Sequence, residues 1–525
     1  MAALFVAMVG CNKEQHGGSN VGNAPKDAVY MSFKVSTLET KSQSEDDGTS
    51  NANPDYEVGF NTENKIQKID LLLVELDENG NETTTVVRAD NVQASESQTD
   101  VYVAAFNQKD NNVTLKETNY NVYIYANADA NETVKLMDDY TEVGSDLKVT
   151  GGIAEANKFF MTTSSKKTAT VSNLAAHTTP ANPLDLGAYE VQRAAARFDI
   201  ATAEANSVFT IVSDNAATTD FNETVTLTIT DVALINRAKT FYDFKRVAAN
   251  TTADPVLLGI ETSNNWVVDY NWGATTTSDY NYPLNPTNDR TYPWVGLNRL
   301  ETADNWTTGT QVQNYPTPAA EYYVFDYAAE NTLKGIDAQK KGVTTGVVFR
   351  ARITGDIVTA ANEAPIYVHG NVLYGTWEKM VKTAFAEGST LYALQAAINS
   401  VATKGSDGTV TINENADLAK AGFTRYTADD NGNYYTTYYY WNRHNDNLNN
   451  DVMGVMEFAV VRNNVYKLAV TSIAKYGHPY NPDPDDPNPD PDPENPADPD
   501  ESVNYYFTVS VKVLPWIVRV NNIEF

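Results

Sequence analysis

Apolar residues recur at every second position in many separate stretches of this chain, and that period constrains its fold more than any other feature. "VYMSFKVS" sets Val29, Met31, Phe33 and Val35 against Tyr30, Ser32, Lys34 and Ser36. The alternation returns in "NVYIYANAD", in "ETVTLTIT" (Val225, Leu227, Ile229) and in "GVVFRARITGD" (Val347, Phe349, Ala351, Ile353). Successive side chains of a strand point to opposite faces, so each stretch reads as a strand with one apolar face. "KIDLLLVELDENG" reads as a strand ending in a turn, and "KVTGG" as a short run. The 31 tyrosines suit pleated, half-buried surfaces. One stretch, "STLYALQAAINSVAT", is spaced as a helix, with Ser389 placed to cap it. Strands without alternating helices predict antiparallel sandwiches. A chain of 525 residues is too long for one ordinary core, so two β-sandwich domains in tandem are expected.

The two ends depart from this pattern. Residues 482–501 carry eight prolines, and acidic residues fill much of the rest. Proline withholds a ladder donor and like charges repel, so this is a stiff, extended spacer. At ~3.1 Å per residue it reaches on the order of 60 Å. Beyond it, Val503, Tyr505, Phe507, Val509, Val511 and Val513 share one face. At Pro515 the apolar face switches to Trp516, Val518 and Val520, which predicts two consecutive strand segments. A strand needs a sheet, and a strand on a long tether points to a sheet outside its own core. Near the start, the strand of Val29 to Val35 runs into "LETKSQSEDDGTSNANPDY", which has little to bury and is the kind of loop that proteases cut. The expected divisions are residues 42–189 and 190–477 for the two domains, 478–502 for the linker and 503–525 for the tail strands.

The formal net charge is −30, with no basic cluster, so a polyanion such as nucleic acid would be repelled. The one cysteine, Cys11, excludes an intrachain disulfide. It follows the apolar "MAALFVAMVG" and precedes the polar "NKEQHGGSN". Gly10 and Val9 before it resemble the lipobox of a bacterial lipoprotein precursor, in which the cysteine sulfur carries lipid. Met8 stands where leucine is usual, and a start codon assigned too late would account for the missing basic residues. Residues 1–10 are then a signal peptide and 11–41 a lipidated N-terminal segment with a removable strand. No other run of about 18 apolar residues occurs, so membrane contact is expected only through the lipid.

The five histidines are scattered, and no nucleophile-elbow, dinucleotide or phosphate-loop motif is present. The chain is not expected to be an enzyme or to hold a cofactor. "ELDENGNETTTV" begins with EF-hand spacing at Glu75, Asp77, Asn79 and Gly80, but its twelfth position is Val86 rather than a bidentate glutamate. A hairpin turn explains it more simply, and no metal site is expected. "NYYTTYYYWNRHNDN" offers aromatic faces for glycan stacking, against the alternative of an amphipathic strand with half its tyrosines in the core.

Several stretches together resemble a known family. "YMSFKVS", "NANPDYEVG" with "NKIQKIDLLLVEL", "VQRAAARFDI", "VVRNNVYKLAVTSIAKYG", the Pro-Asp linker and "SVKVLPWIV" are similar to fimbrillins of the Bacteroidales, specifically the minor (short) fimbrium subunit family of type V pili. The resemblance covers both ends of the chain and the start of the second domain. It implies two transthyretin-like domains, export as a lipoprotein anchored through Cys11 to the outer membrane, and assembly into a cell-surface fimbrium supporting adhesion and biofilm formation. A trypsin-like protease would remove the strand of Val29, Met31, Phe33 and Val35. A neighbour's Tyr505, Phe507, Val509, Val511, Val513, Trp516 and Val518 would then fill the groove. The implied partners are further copies of the chain, anchor or tip proteins, the protease, and host or bacterial surface ligands. Related subunits are cut after an arginine in this loop. Here no arginine precedes Arg88, and the matching position is Lys41, followed by Ser42. Either a lysine-cleaving enzyme acts there, or the first strand is retained by an accessory or anchor protein. A monomeric glycan-binding surface lipoprotein is the alternative from another class.

Overall fold

In a computed structural model of the chain, the alternating segments fold as strands. The structure describes residues 28–37, 60–92, 100–214, 222–479 and 507–515, apart from 108, 111–112, 129–138, 145–146, 149–151, 263, 274–278, 284–291, 302–321, 340–342 and 446–451. The first sheet is built from β1 (Ala28–Thr37), β2 (Ile69–Leu76), β3 (Glu82–Val92), β4 (Val101–Asn107), β5 (Asn119–Ala126), β6 (Met161–Thr163) and β7 (Leu184–Arg193). Their order is β3-β2-β5-β6-β7-β1-β4, and the short strand Thr168–Thr170 adds to β5. β2 is buried at every position and β5 at all but its first, as expected of inner strands covered on both faces.

The turn joining β2 to β3 is the hairpin expected from "DENG". Asp77 Oδ1 accepts the N–H groups of Asn79 (2.9 Å) and Asn81 (2.8 Å), and Gly80 takes the left-handed φ of +80° that the turn needs. These backbone donors, Asn81 first, hold the Asp77 carboxyl below its usual range. The carboxylate is engaged with its own turn.

The rest of the chain contributes β8 (Ala196–Ala201), β9 (Val208–Asp214), β10 (Asn222–Ile235), β11 (Tyr322–Ala328), β12 (Gly346–Thr354), β13 (Tyr434–Trp441), β14 (Asn464–Ile473), β15 (His478–Pro479) and β16 (Phe507–Pro515). They form two sheets, β11-β8-β14-β16 and β9-β10-β12-β13-β15. Phe198, Ile200, Tyr466 and Leu468 of one sheet share an apolar core with Leu227 and Phe349 of the other. The opposite face of β14 carries Val465 and Ala469, which join the core of the first sheet together with Tyr322 and Val324. Alternate residues of one strand therefore serve two cores, as a period of two allows. Residue 189 lies inside β7, and only Ala194 and Ala195 separate β7 from β8.

The chain is all-β, as expected. The expectation of purely antiparallel sheets is corrected at two places: β1 runs parallel to β7, and β8 parallel to β14. Each pair joins strands distant in sequence, where no hairpin dictates direction. The expected helix forms as Tyr392–Val401, with Leu394, Ile398 and Val401 buried. Ser389 is not its cap. Leu391 occupies that position, and Ser389 Oγ accepts the Leu391 N–H at 3.3 Å one turn earlier. A second helix, Trp377–Ala384, was not anticipated; Thr376 caps it, accepting the Lys379 N–H at 3.3 Å. Its eight residues are too short for a clear periodic signal. In "KVTGG", Lys148 lies in a turn and residues 149–151 fall outside the described residues.

Candidate functional site

β1 is an inner strand. It pairs with β4 from Ala28↔Asn107 to Lys34↔Val101, and with β7 from Met31↔Leu184 to Thr37↔Val191, with a register shift between Ser32 and Lys34. Val29 and Met31 are 0% exposed, and Phe33 and Val35 1%. The alternation holds on the other face only in part: Lys34 and Ser36 are exposed, whereas Tyr30 is buried. Two further backbone bonds pin the strand, from the Tyr30 N–H to the His177 carbonyl (2.8 Å) and from the Val35 N–H to the Asp100 carbonyl (3.0 Å). Phe33 stacks on Tyr102 of β4 at 5.8 Å between centroids. Burial, with Asp100 nearby, pushes the Tyr102 hydroxyl up to about 12.

The tail strand occupies a different kind of position. β16 lies at the edge of its sheet, antiparallel to β14, with Phe507 opposite Ile473 and Pro515 opposite Asn464. Within the single chain this strand has therefore found a sheet of its own chain, whereas the sequence suggested a sheet in another molecule. The physical reason is available in the topology. β14 would otherwise present an open row of backbone donors and acceptors, and a strand-forming tail attached to the same chain covers it. The described part of this strand runs from Phe507 to Pro515. Phe507, Val509, Val511 and Val513 are in it; Tyr505, Trp516 and Val518 fall outside the described residues. So do Cys11, Lys41 and Ser42.

A buried ionic socket that the sequence reading missed joins the turn after β1 to the sheet that receives β16. The first described turn after β1 is the helical turn Asn61–Asn64, which we label α1. Glu63 turns back to accept the Phe60 N–H at 2.7 Å. It also accepts Arg197 Nη1 at 3.1 and 3.0 Å and the Tyr327 hydroxyl at 2.7 Å. Arg197 reaches Asp199 with Nε (2.9 Å) and Nη2 (3.0 Å), and Lys467 Nζ lies 3.9 Å from Asp199 Oδ2. The side chains of Glu63, Arg197, Asp199 and Lys467 are all 0% exposed. Arg193 donates to the Glu63 carbonyl (3.2 Å), to the Asn64 side chain and to Asn463 Oδ1 (3.1 Å). Burial, then the Glu63 charge, raises the Tyr327 hydroxyl well above its usual range. Charges at 193, 197 and 199 among the apolar residues of "VQRAAARFDI" are the signal that could have found this socket.

A second buried polar group lies further along the same body. Arg462 donates to Glu330 Oε2 (2.5 Å) and to the carbonyls of Tyr242 (2.5 Å) and Asp243 (2.6 Å). Nearby, Asp269 Oδ2 accepts the Thr332 N–H at 3.2 Å. Complete burial, and then the charge of Glu330, pushes the Asp269 carboxyl up to about 8.

The tyrosine-rich stretch is the amphipathic strand. β13 is central in its sheet, and Tyr434, Tyr438 and Trp441 are buried while Tyr435, Tyr439 and Tyr440 are half-buried. Among the described residues no three acidic, histidine or cysteine side chains converge as metal ligands, and no helix is long and apolar enough to cross a membrane.

Residues 430–522 match the family model described as "Major fimbrial subunit protein type IV, Fimbrillin, C-terminal". No curated protein matches the sequence. Among solved structures, a fimbrilin of Porphyromonas gingivalis W83 is similar at 14% identity and a TM-score of 0.39, covering 94% of this chain and 98% of that one. A candidate cell adhesion protein of Parabacteroides distasonis aligns at 11% identity and TM-score 0.36, over 93% and 100% of the two chains. Another, from Bacteroides eggerthii, aligns at 9% and 0.34, over 95% and 100%. The similarity that bears on function is therefore the one over residues 430–522. Residues 430–522, a span that holds β13, β14 and the tail strand, are similar to the C-terminal region of fimbrillins.

Proposed function

We propose that this chain is a structural subunit of a cell-surface fimbria, exported as a lipoprotein through Cys11, cut between Lys41 and Ser42, and polymerised by donor-strand exchange. The observation that carries the reading is the fimbrillin match over 430–522, which includes the tail strand. The geometry of β1 supports it. Its four core side chains contribute ~1.5–3 kcal/mol each by burial, and residues 38–59 connect it to the following turn. Once that connection is cut, the strand is held by noncovalent contacts that another strand of the same period can replace. The tail, paired along one edge only, is the less costly strand to move. On this reading residues 42–189 and 190–477 are the two units, 478–502 sets reach, and 503–525 is donated to the next copy. Partners are other copies, anchor and tip proteins, a trypsin-like processing protease, and surface ligands of host or bacteria; the fibre serves adhesion and biofilm formation.

A second reading has its own observation: no arginine precedes Arg88, so an arginine-specific protease has no cut site beside β1, and a chain that keeps β1 is an accessory or anchoring fimbrial protein. N-terminal sequencing of protein from the cell surface decides between them: a shaft subunit begins at Ser42 and runs as a heat-resistant ladder on a gel. Lys41→Ala should leave uncut monomers, and Cys11→Ala should block surface delivery. Polymers from the Lys41→Ala variant, or chains beginning at residue 12 or earlier within polymers, overturn the shaft reading. Normal surface amounts of the Cys11→Ala protein overturn the lipid anchor.

A further inference from the structure

We propose that the turn Phe60–Asn64 is a lock, and that Glu63, seated among Arg193, Arg197 and Tyr327, holds the first sheet on the second when β1 is absent. The inference rests on the reading that β1 is removed, and adds to it the device that lets the remaining body survive. β1 supplies Val29, Met31, Phe33 and Val35 to a core that also contains Tyr327, Val465 and Ala469, so its withdrawal weakens the apolar contact between the two sheets. A polar set also remains at that seam, beside the aromatic pair Phe159–Tyr327 at 5.2 Å between centroids. It joins residues far apart in the chain: Glu63 to Arg197 across 134 positions and to Tyr327 across 264, and Arg193 to Asn463 across 270.

The turn is built to stay seated. Its Glu63 satisfies the Phe60 N–H, its Thr62 carbonyl accepts the Asn157 N–H at 2.7 Å, and the Phe60 ring lies 5.0 Å from the Arg197 guanidinium. Glu63 leaves neither oxygen without a donor, since Oε1 takes Arg197 and Tyr327, and Oε2 takes Arg197 and the Phe60 N–H. A buried ion set of this kind adds little net stability over an apolar replacement, yet losing one member is costly because the others stay buried and uncompensated. That asymmetry suits a lock: the seam is either fully seated or strongly disfavoured. Its position in the chain matters as much. The turn follows β1 in the chain, so a cut between residues 38 and 59 leaves it within the new N-terminal arm.

The test uses the full chain with a site-specific protease sequence inserted between residues 41 and 42, so that it does not depend on the native protease. Melting is followed for uncut chain and for chain cut and freed of residues 1–41 in mild urea, each with Glu63 intact, with Glu63→Gln, and with the gentler Tyr327→Phe. Uptake of a labelled synthetic peptide of residues 503–525 is measured in parallel. The expected result is coupling: each substitution lowers the melting temperature more in the cut chain than in the uncut one. Glu63→Gln should also weaken peptide uptake by the cut chain about tenfold. Equal shifts in cut and uncut chains for both variants, with unchanged uptake, overturn the lock. If the cut chain with Glu63 intact takes up no peptide while the melting shifts stay coupled, the lock holds and the exchange reading fails instead. Should Glu63→Gln fail to fold even uncut, the Tyr327→Phe comparison decides alone.

Discussion

β1 and β16 have the same period-two pattern and opposite situations. β1 is hydrogen-bonded on both sides, with its apolar face in the core of the first sheet. Among the described residues β16 is hydrogen-bonded on one side and ends its sheet. An inner strand is needed by its neighbours as much as it needs them. β4 shows this, since β1 separates it from the rest of the sheet order. An edge strand can leave and cost its sheet only one ladder. The difference teaches that a strand-forming sequence says a segment will pair, and the number of its partners says what depends on it.

The most severe way to break this comparison is to remove β1 outright. A chain lacking residues 1–41 should lose roughly 6–12 kcal/mol of burial, from four apolar side chains. Hydrogen exchange should accelerate first in Val101–Asn107, the strand left without its partner. Full protection of β4 in that chain would show that β1 is not the inner strand its pairing implies. A milder probe is Phe33→Ala, which opens a cavity beside Tyr102 and should cost about 3–5 kcal/mol in denaturant unfolding. A cost under about 1 kcal/mol would place β1 with the dispensable strands.

The body that receives both strands has its own pH dependence, which sets the conditions for comparing them. Asp269 has its folded pKa raised from 3.8 to about 8, chiefly by burial. The folded chain thus keeps a proton that the unfolded chain has released. The contribution is fully present below pH 4, declines as pH rises through that window, and is lost above about 8. It amounts to a few kcal/mol in order of magnitude. Asp269→Asn should flatten the slope of unfolding free energy between pH 5 and 8; an unchanged slope would mean that another group carries it. The smallest effect on stability is expected from truncation after Glu501. Both sandwich cores should melt within a few degrees of the full chain, because β16 adds one edge ladder, while polymers disappear. An unfolded truncation would reverse the comparison and make the tail part of its own core.

The sequence by itself determined the strands and their faces. Val29 to Val35, Val225 to Ile229 and Val347 to Ile353 alternate because a pleated strand alternates, and the Asp77 turn follows from the short reach of an aspartate to its own backbone. Only the tertiary structure decided which strands meet. The parallel course of β1 beside β7, the pairing of β16 with β14 and the seating of Glu63 against Arg197 all join segments whose separation leaves no local mark. Tyr30 illustrates the same limit within a single strand, for a period of two names two faces and cannot say that both will be covered. The charges of "VQRAAARFDI" were visible as an anomaly, but a charge in a strand is tolerable on an exposed face and costly in a core. Its place becomes known only when the partner that neutralises it, here a glutamate 134 positions away, arrives.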